Sequence, residues 1–287
     1  MSITVKTISA DEHLAFVAAR GQASFLQLPA WGKAKPEWRS ESVGFFDGDT
    51  LTGVGLILYR QLPKLPRYLA YLPEGPVLDW NRPDVDAHLE ALIAHARRNK
   101  AFAVRIGPTV VHHRWLAPTV KAAIADPEIT ALSQATPDET TLTGTRVLRT
   151  LDHLGWQPQT EGHGFAAGQP KFNYQLRLTD AEGTPLTDEQ LLKGMNQLWR
   201  RNIKKADKLG VTVTRGERDD LARFHHIYLE TAERDHFTGR GLSYFETMWD
   251  ALNTEEPDRM RVYLAEHDGD LVAATTFIRV GTHAWYS

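Results

Sequence analysis

No cysteine occurs among the 287 residues. That absence removes a disulfide framework, thiolate zinc sites and a cysteine nucleophile together, and it fits a cytoplasmic setting. Long apolar runs are missing as well. No stretch approaches the ~18 residues of a membrane span, and the N-terminus MSITVKTISADEHLAF has neither the cationic start nor the apolar run of a secretory signal. The chain is expected to lie in the cytoplasm, with no transmembrane segment, and to meet a membrane only peripherally at its inner face. Excess positive charge is lacking too: the formal net charge is −3, so any polyanion must be met by a local patch. There is no HExxH, no Walker lysine loop, no GxSxG and no dinucleotide fingerprint. The twelve histidines include the adjacent pairs His112–His113 and His225–His226, but sequence neighbours point apart, so no metal is expected. Without an evident nucleophile, attack on an already activated acyl group suits this chain better than hydrolysis.

What is present is globular: 42% hydrophobic and 24% charged residues, at a length that suggests about two domains. SVGFFDGDTLTGVGLILYR (42–60) and RVYLAEHDGDLVAATTFIR (261–279) each read as an apolar strand, an Asp-Gly-Asp turn and a second apolar strand. A helix precedes each. ISADEHLAFVAARG opens with Ser9 and Glu12 at capping-box spacing, and GERDDLARFHHIYLETAERD begins with the acids that a helix dipole favours there. The repetition predicts two related domains, 1–185 and 186–287, in an α/β (α+β, mixed-sheet) fold, with the boundary in the polar TDAEGTPLTDEQ. A helix near 84–98, a strand at 101–108, loops over 112–145, a short helix around 145–156 and a strand at 172–178 complete the first domain.

NQLWRRNIKKADKLGV (196–211) gathers Arg200, Arg201, Lys204, Lys205 and Lys208 in an acidic chain. Thr187 and Gln190 have capping-box spacing and Gly210 suits a helix end, which predicts one helix over 188–209. At 100° per residue the cations share an arc of roughly 140°, opposite Leu192, Met195, Trp199, Ile203 and Ala206. Stacked like charges with only Asp207 nearby repel one another. The face either solvates an ordinary helix or holds an anion such as a phosphate, for which arginine forks and lysine point charges are suited. QTEGHG (159–164) has the Gln-x-x-Gly-x-Gly spacing that cradles pyrophosphate in acetyl-CoA N-acyltransferases, but Gly168 and Pro170 deny it the helix this use requires, so the match is read as chance.

Five segments in order, SFLQLPAWGKAK (24–35), YLPEGPVLDW (71–80), GQPKFNYQLRL (168–178), WRRNIKKADKLGV (199–211) and YLETAERDHFTGRGLSYF (228–245), resemble the FemABX family of peptidoglycan bridge-forming aminoacyltransferases over nearly the whole chain. The resemblance implies two tandem GNAT-like domains. It implies transfer of an amino acid from aminoacyl-tRNA to the side-chain amine of the stem peptide of a cell-wall precursor, either lipid II or UDP-MurNAc-pentapeptide. It implies no metal, no covalent intermediate and no cofactor. Lys33 or Lys35, beside Trp31, matches the family's precursor-binding lysine, with Lys35 preferred. Arg200, Arg201, Lys204 and Lys205 would meet the precursor diphosphate or the tRNA, and Tyr228, Arg234, Arg240 and Tyr244 would line the substrate groove. No catalytic residue is assigned; the base is open between Asp235 and loss of the amine proton before binding. Two departures stand out. Only 18 residues separate Tyr244 from Tyr263, too few for the coiled-coil arm of some members, and the chain ends at THAWYS soon after the second hairpin, so the second domain is expected to be C-terminally truncated. A CoA-dependent GNAT N-acyltransferase and a non-catalytic muropeptide- or tRNA-binding module are the alternatives.

Overall fold

The computed structural model describes residues 3–21, 23–159 and 169–286. The chain divides into two units, Met1–Gln169 and Pro170–Ser287, ahead of the polar stretch around residue 185.

Unit 1 begins with strand β1 (Ile3–Thr7) and helix α1 (Ala10–Arg20), whose capping box forms as the sequence implies: Ser9 Oγ accepts from Glu12 N at 3.2 Å while Glu12 Oε2 accepts from Ser9 N at 2.9 Å. A short helix α2 (Pro29–Lys33) leads into β2 (Arg39–Asp47), β3 (Thr50–Gln61), β4 (Tyr68–Leu72) and β5 (Val77–Leu78). Helix α3 (Val85–Arg98) then crosses to β6 (Ala101–Ile106). The sheet order is β1-β2-β3-β4-β6 with β5 on β3; all pairs are antiparallel except β4 with β6, which the α3 crossover makes parallel. Val43, Phe45, Ile57, Tyr59, Ala70 and Leu72 bury one face of this sheet against Leu92 and Ala96 of α3, and α2 packs on β2 and β3. The stretch 112–145, expected to be loops, holds β7 (His113–Arg114), α4 (Ala117–Ala125), β8 (Glu139–Thr140) and the start of α5 (Leu142–His153); Pro118 in the first turn of α4 supplies a helix start that periodicity alone does not reveal.

Charge is buried at one point of this core. Glu41 accepts hydrogen bonds from Thr7 Oγ1 (2.6 Å), Tyr59 Oη (2.9 Å) and His95 Nε2 (3.1 Å). Burial alone would raise the Glu41 carboxyl, but the bonds from His95, Thr7 and Tyr59 together outweigh it and hold the group down to about 2. Burial, followed by the Glu41 charge, pushes the Tyr59 phenol up.

Unit 2 contains α6 (Asp188–Gly194), α7 (Gln197–Lys208), β9 (Thr212–Gly216), α8 (Leu221–Arg234), α9 (Leu242–Glu255), β10 (Met260–His267), β11 (Asp270–Val280) and β12 (His283–Tyr286). From β9 onward the order strand, helix, helix, three strands repeats that of unit 1 from β1 to β4, and the sheet order β9-β10-β11-β12 repeats β1-β2-β3-β4.

The duplicated hairpin is in place, with a shift that the letters conceal. In the first, Asp47 pairs with Thr50 and the loop is Gly48-Asp49; in the second, His267 pairs with Asp270 and the loop is Asp268-Gly269. Gly48 has φ 59° at the first loop position, whereas Asp268 (52°) and Gly269 (88°) are both left-handed, as a primed two-residue turn allows. The bulge is equivalent as well, with Thr52 and Val272 each the extra residue on the returning strand. The equivalent loops are thus offset by one residue from the Asp-Gly-Asp match.

Two further sequence expectations are corrected. The helix over 188–209 is two helices, because Met195 (ψ 153°) and Asn196 (ψ 164°) are extended and Asn196 Oδ1 caps α7 by accepting from Trp199 N at 2.9 Å. An asparagine offers the backbone a cap that competes with helix continuation. Leu192 and Met195 therefore do not share a continuous face with Trp199. The strand expected at 172–178 does not form either. Only an isolated bridge, Thr179 to Pro185, occurs there, and Phe172, Tyr174, Leu176 and Leu178 stay exposed without a ladder to join. The QTEGHG motif lies, from residue 160 on, outside the described residues, as does Gly168. Among the described residues the longest helices run 14 residues, and no helix is long and apolar enough to cross a membrane.

Candidate substrate-binding surfaces

In unit 1, Pro29 at the start of α2 sets Trp31 into the core, 7% exposed and edge-on to Phe25 at 5.3 Å. Lys33, the last residue of α2, is exposed. Lys35 lies in the following turn, where its Nζ sits 5.0 Å from the Trp31 ring centroid and its carbonyl accepts from Trp38 N at 3.0 Å. Of the two lysines the sequence left open, Lys35 is the one held over an aromatic face. In the precursor-binding role that the resemblance implies for one of the two, Lys35→Ala is expected to weaken binding of UDP-MurNAc-pentapeptide by about tenfold in calorimetry, the scale of one charge-assisted contact, and Lys33→Ala to leave it within about twofold. The reverse ranking would move the role to Lys33.

Trp38 continues into a group that the sequence reading missed. It lies 6.3 Å from Tyr71, Arg60 stacks on Trp38 at 5.7 Å, Arg105 on Tyr71 at 5.9 Å, and Gln169 Nε2 donates to Tyr71 Oη at 2.9 Å. Burial raises the Tyr71 phenol, against the opposing effects of Gln169 and Arg105. Gln27, fully buried, fixes the turn after Tyr71: its Oε1 accepts from Leu56 N at 3.0 Å and its Nε2 donates to Pro73 O at 2.8 Å. A side chain on Gly75 would run into that amide. Nothing in the sequence joins these residues; their convergence is a product of the sheet, which aligns Tyr71 with Arg105.

In unit 2, α7 keeps its cationic arc despite the shortened helix. Arg201, Lys204, Lys205 and Lys208 are exposed and Arg200 is half-buried. Among the described residues no ion pair joins any of the five to a carboxylate; Arg200 Nη1 reaches only the carbonyl of Lys193, at 3.5 Å. Trp199 and Ile203, on the apolar arc opposite the cations, are 58% and 41% exposed.

Three of the four nominated groove residues meet between α8 and α9. Arg240 N donates to Tyr228 Oη at 3.1 Å, and the Arg240 guanidinium lies 4.7 Å from the Tyr244 ring centroid. Phe237 is 44% exposed and packs edge-on against Tyr228 at 5.7 Å. Arg234 stands apart: it forms a two-pronged ion pair with Asp235 (2.8 and 3.0 Å) on the surface. That pair holds the Asp235 carboxyl below the ordinary carboxylate range, which makes it a weak base.

A family model described as the FemAB family matches residues 8–270. The chain belongs to the FemAB family. It is 31% identical over 251 residues to the lipid II:glycine glycyltransferase of Staphylococcus saprophyticus subsp. saprophyticus and 30% identical over 254 residues to that of Staphylococcus epidermidis, each alignment covering 86% of this chain and 52% of the relative. The FemAB-family chain therefore spans about half the length of the curated relatives it matches. The crystal structure of FemX superposes with a TM-score of 0.64 at 26% identity, over 92% of this chain and 58% of that one. The fold is α/β, with a mixed sheet in unit 1 and an antiparallel sheet in unit 2, and the strand order of the first unit recurs in the second.

Proposed function

We propose that this FemAB-family chain takes part in building peptidoglycan bridges as an aminoacyltransferase, moving an amino acid from aminoacyl-tRNA to the side-chain amine of a precursor stem peptide, on lipid II or UDP-MurNAc-pentapeptide. The observation that carries the reading is the set of cations on α7, which no carboxylate neutralises among the described residues. Both proposed substrates are phosphorylated, and a clustered, unpaired arc of arginine and lysine is suited to them. The relatives named as lipid II:glycine glycyltransferases support the reaction class.

An aminoacyl ester needs no further activation. The amine lone pair attacks the ester carbonyl, the tetrahedral oxyanion collapses, the carbon–oxygen bond to the ribose breaks, and the amine proton passes to the departing ribose oxygen. The protein's task is to hold the two reactants together and to stabilise the oxyanion. In this reading Lys35 and the α7 cations hold phosphates, while Tyr228, Arg240 and Tyr244 contact the peptide. Asp235, being a weak base, favours an amine that sheds its proton before attack.

The test is to incubate the protein with a mixed pool of charged tRNA and either precursor, and to weigh the products. Gain of one aminoacyl residue on the stem peptide is expected. An unchanged mass with both precursors overturns the reading, and tight acetyl-CoA binding in calorimetry would replace it with CoA-dependent acylation.

A further inference from the structure

His225 plays no part in the reading above, and it is the polar residue most closely tied to Arg240. It lies three residues before Tyr228 on α8, so both side chains leave the same helix face. Its neighbour His226 points elsewhere, to Glu230 at 3.3 Å. His225 Nε2 lies 2.9 Å from the carbonyl of Arg240. A carbonyl only accepts, so Nε2 carries the hydrogen and donates. Tyr228 Oη receives the amide hydrogen of the same residue. The two polar groups of Arg240's backbone are thus taken by two side chains of α8. The rings are braced in turn: His225 stacks on Tyr228 at 6.1 Å, and Phe245 of α9 touches both, at 6.1 and 5.0 Å. Gly239 allows the close approach, since a Cβ there would come within 3.0 Å of Leu229 and 3.4 Å of Ala232.

We propose that His225 is a positioning residue: with Tyr228 it clamps the Arg240 peptide so that the guanidinium, laid over Tyr244, is already in place to receive an anionic group of the precursor peptide. This rests on the reading of Arg240 as a substrate-groove residue. An arginine on an unclamped segment between two helices would lose backbone and side-chain freedom on binding; the clamp removes most of that loss before the substrate arrives. Hydrophobic packing of α8 on α9 runs through Phe224, Tyr228 and Phe245, so the hydrogen bond from His225 can be removed while the helices stay together.

The experiment uses His225→Leu, which deletes the donor, and His225→Gln, whose amide N–H can replace Nε2–H. Amide exchange over residues 239–241 is expected to speed up about tenfold in the Leu variant, the scale of one lost hydrogen bond. KM for UDP-MurNAc-pentapeptide should rise about fivefold with kcat within about twofold, as expected for lost binding common to ground and transition states. The Gln variant should recover both, and the melting temperature should change little in either. Unchanged exchange and KM in His225→Leu, or a Gln variant as impaired as the Leu variant, overturns the proposal. Arg240→Ala separates the two layers. If it binds the precursor normally, the substrate role of Arg240 falls, and positioning falls with it. If it weakens binding while His225→Leu does not, positioning alone falls.

Discussion

Replacing Glu41 by Gln is expected to destabilise the fold by about 3 kcal/mol at neutral pH, the scale that a carboxyl held near 2 instead of its ordinary 4.5 implies. Glu41 is nearly buried and accepts from Thr7, Tyr59 and His95. A neutral amide has one accepting oxygen and two donors, so it cannot accept from Thr7, Tyr59 and His95 together, and at least one of the three bonds is lost. The pH dependence is the sharper signature. A depressed carboxyl stabilises fully above its unfolded value of 4.5, and that contribution is lost as pH falls from there towards 2. Wild-type stability should therefore decline through that window, while Glu41→Gln declines less and the two curves converge at its acid end. Urea unfolding across pH 2 to 7 measures this, the bounds being roughly those the linkage sets. A constant gap at every pH would mean that lost packing, and not the charge, accounts for the defect.

Changing Arg200, Arg201, Lys204 and Lys205 together to Gln is expected to weaken binding of UDP-MurNAc-pentapeptide or charged tRNA about a hundredfold at low salt, the equivalent of two charge-assisted contacts of ~1.4 kcal/mol each. The difference should shrink as salt rises, because screening already weakens the wild-type contacts. Folding should be unaffected, or slightly improved. The four side chains make no ion pair to lose among the described residues, and their like-charge neighbours at i,i+4 repel by a few tenths of a kcal/mol. Binding that stays unchanged at low salt would leave α7 a solvated helix and remove the observation on which the functional reading rests.

Much of the local structure was legible because it depends on contacts within a few residues. Both capping boxes, Ser9 with Glu12 and Thr187 with Gln190, form as spaced, α3 spans Val85–Arg98 and β6 Ala101–Ile106 close to the expected limits, and both Asp-Gly hairpins turn where the glycines stand. The failures also have local causes. Asn196 had a helical neighbourhood by periodicity, yet its side chain gains a cap by interrupting the helix. Phe172 to Leu178 has strand-like alternation, yet a strand exists only where a partner supplies the other half of the ladder.

The candidate site divides in the same way. The α7 cations could be read from sequence because a single helix brings them to one side, and their spacing fixes the arc. Arg240 over Tyr244 could be nominated only by resemblance, and Arg234 was nominated with it although its guanidinium is spent on Asp235. The roles of Gln27 and His225 could not be read from the sequence, since each acts on backbone distant in sequence: 29 and 46 residues away for Gln27, 15 for His225.

The sequence by itself determined the repeated helix and hairpin and the concentration of positive charge, since those follow from periodicity, turn chemistry and spacing along one chain. Tertiary structure decided how Glu41 keeps its charge inside a core, how Gln27 fixes the turn after Tyr71, and which side chains hold Arg240. These depend on hydrogen bonds and ring contacts between segments that only packing brings within reach, and no pattern along the chain encodes a distance across it.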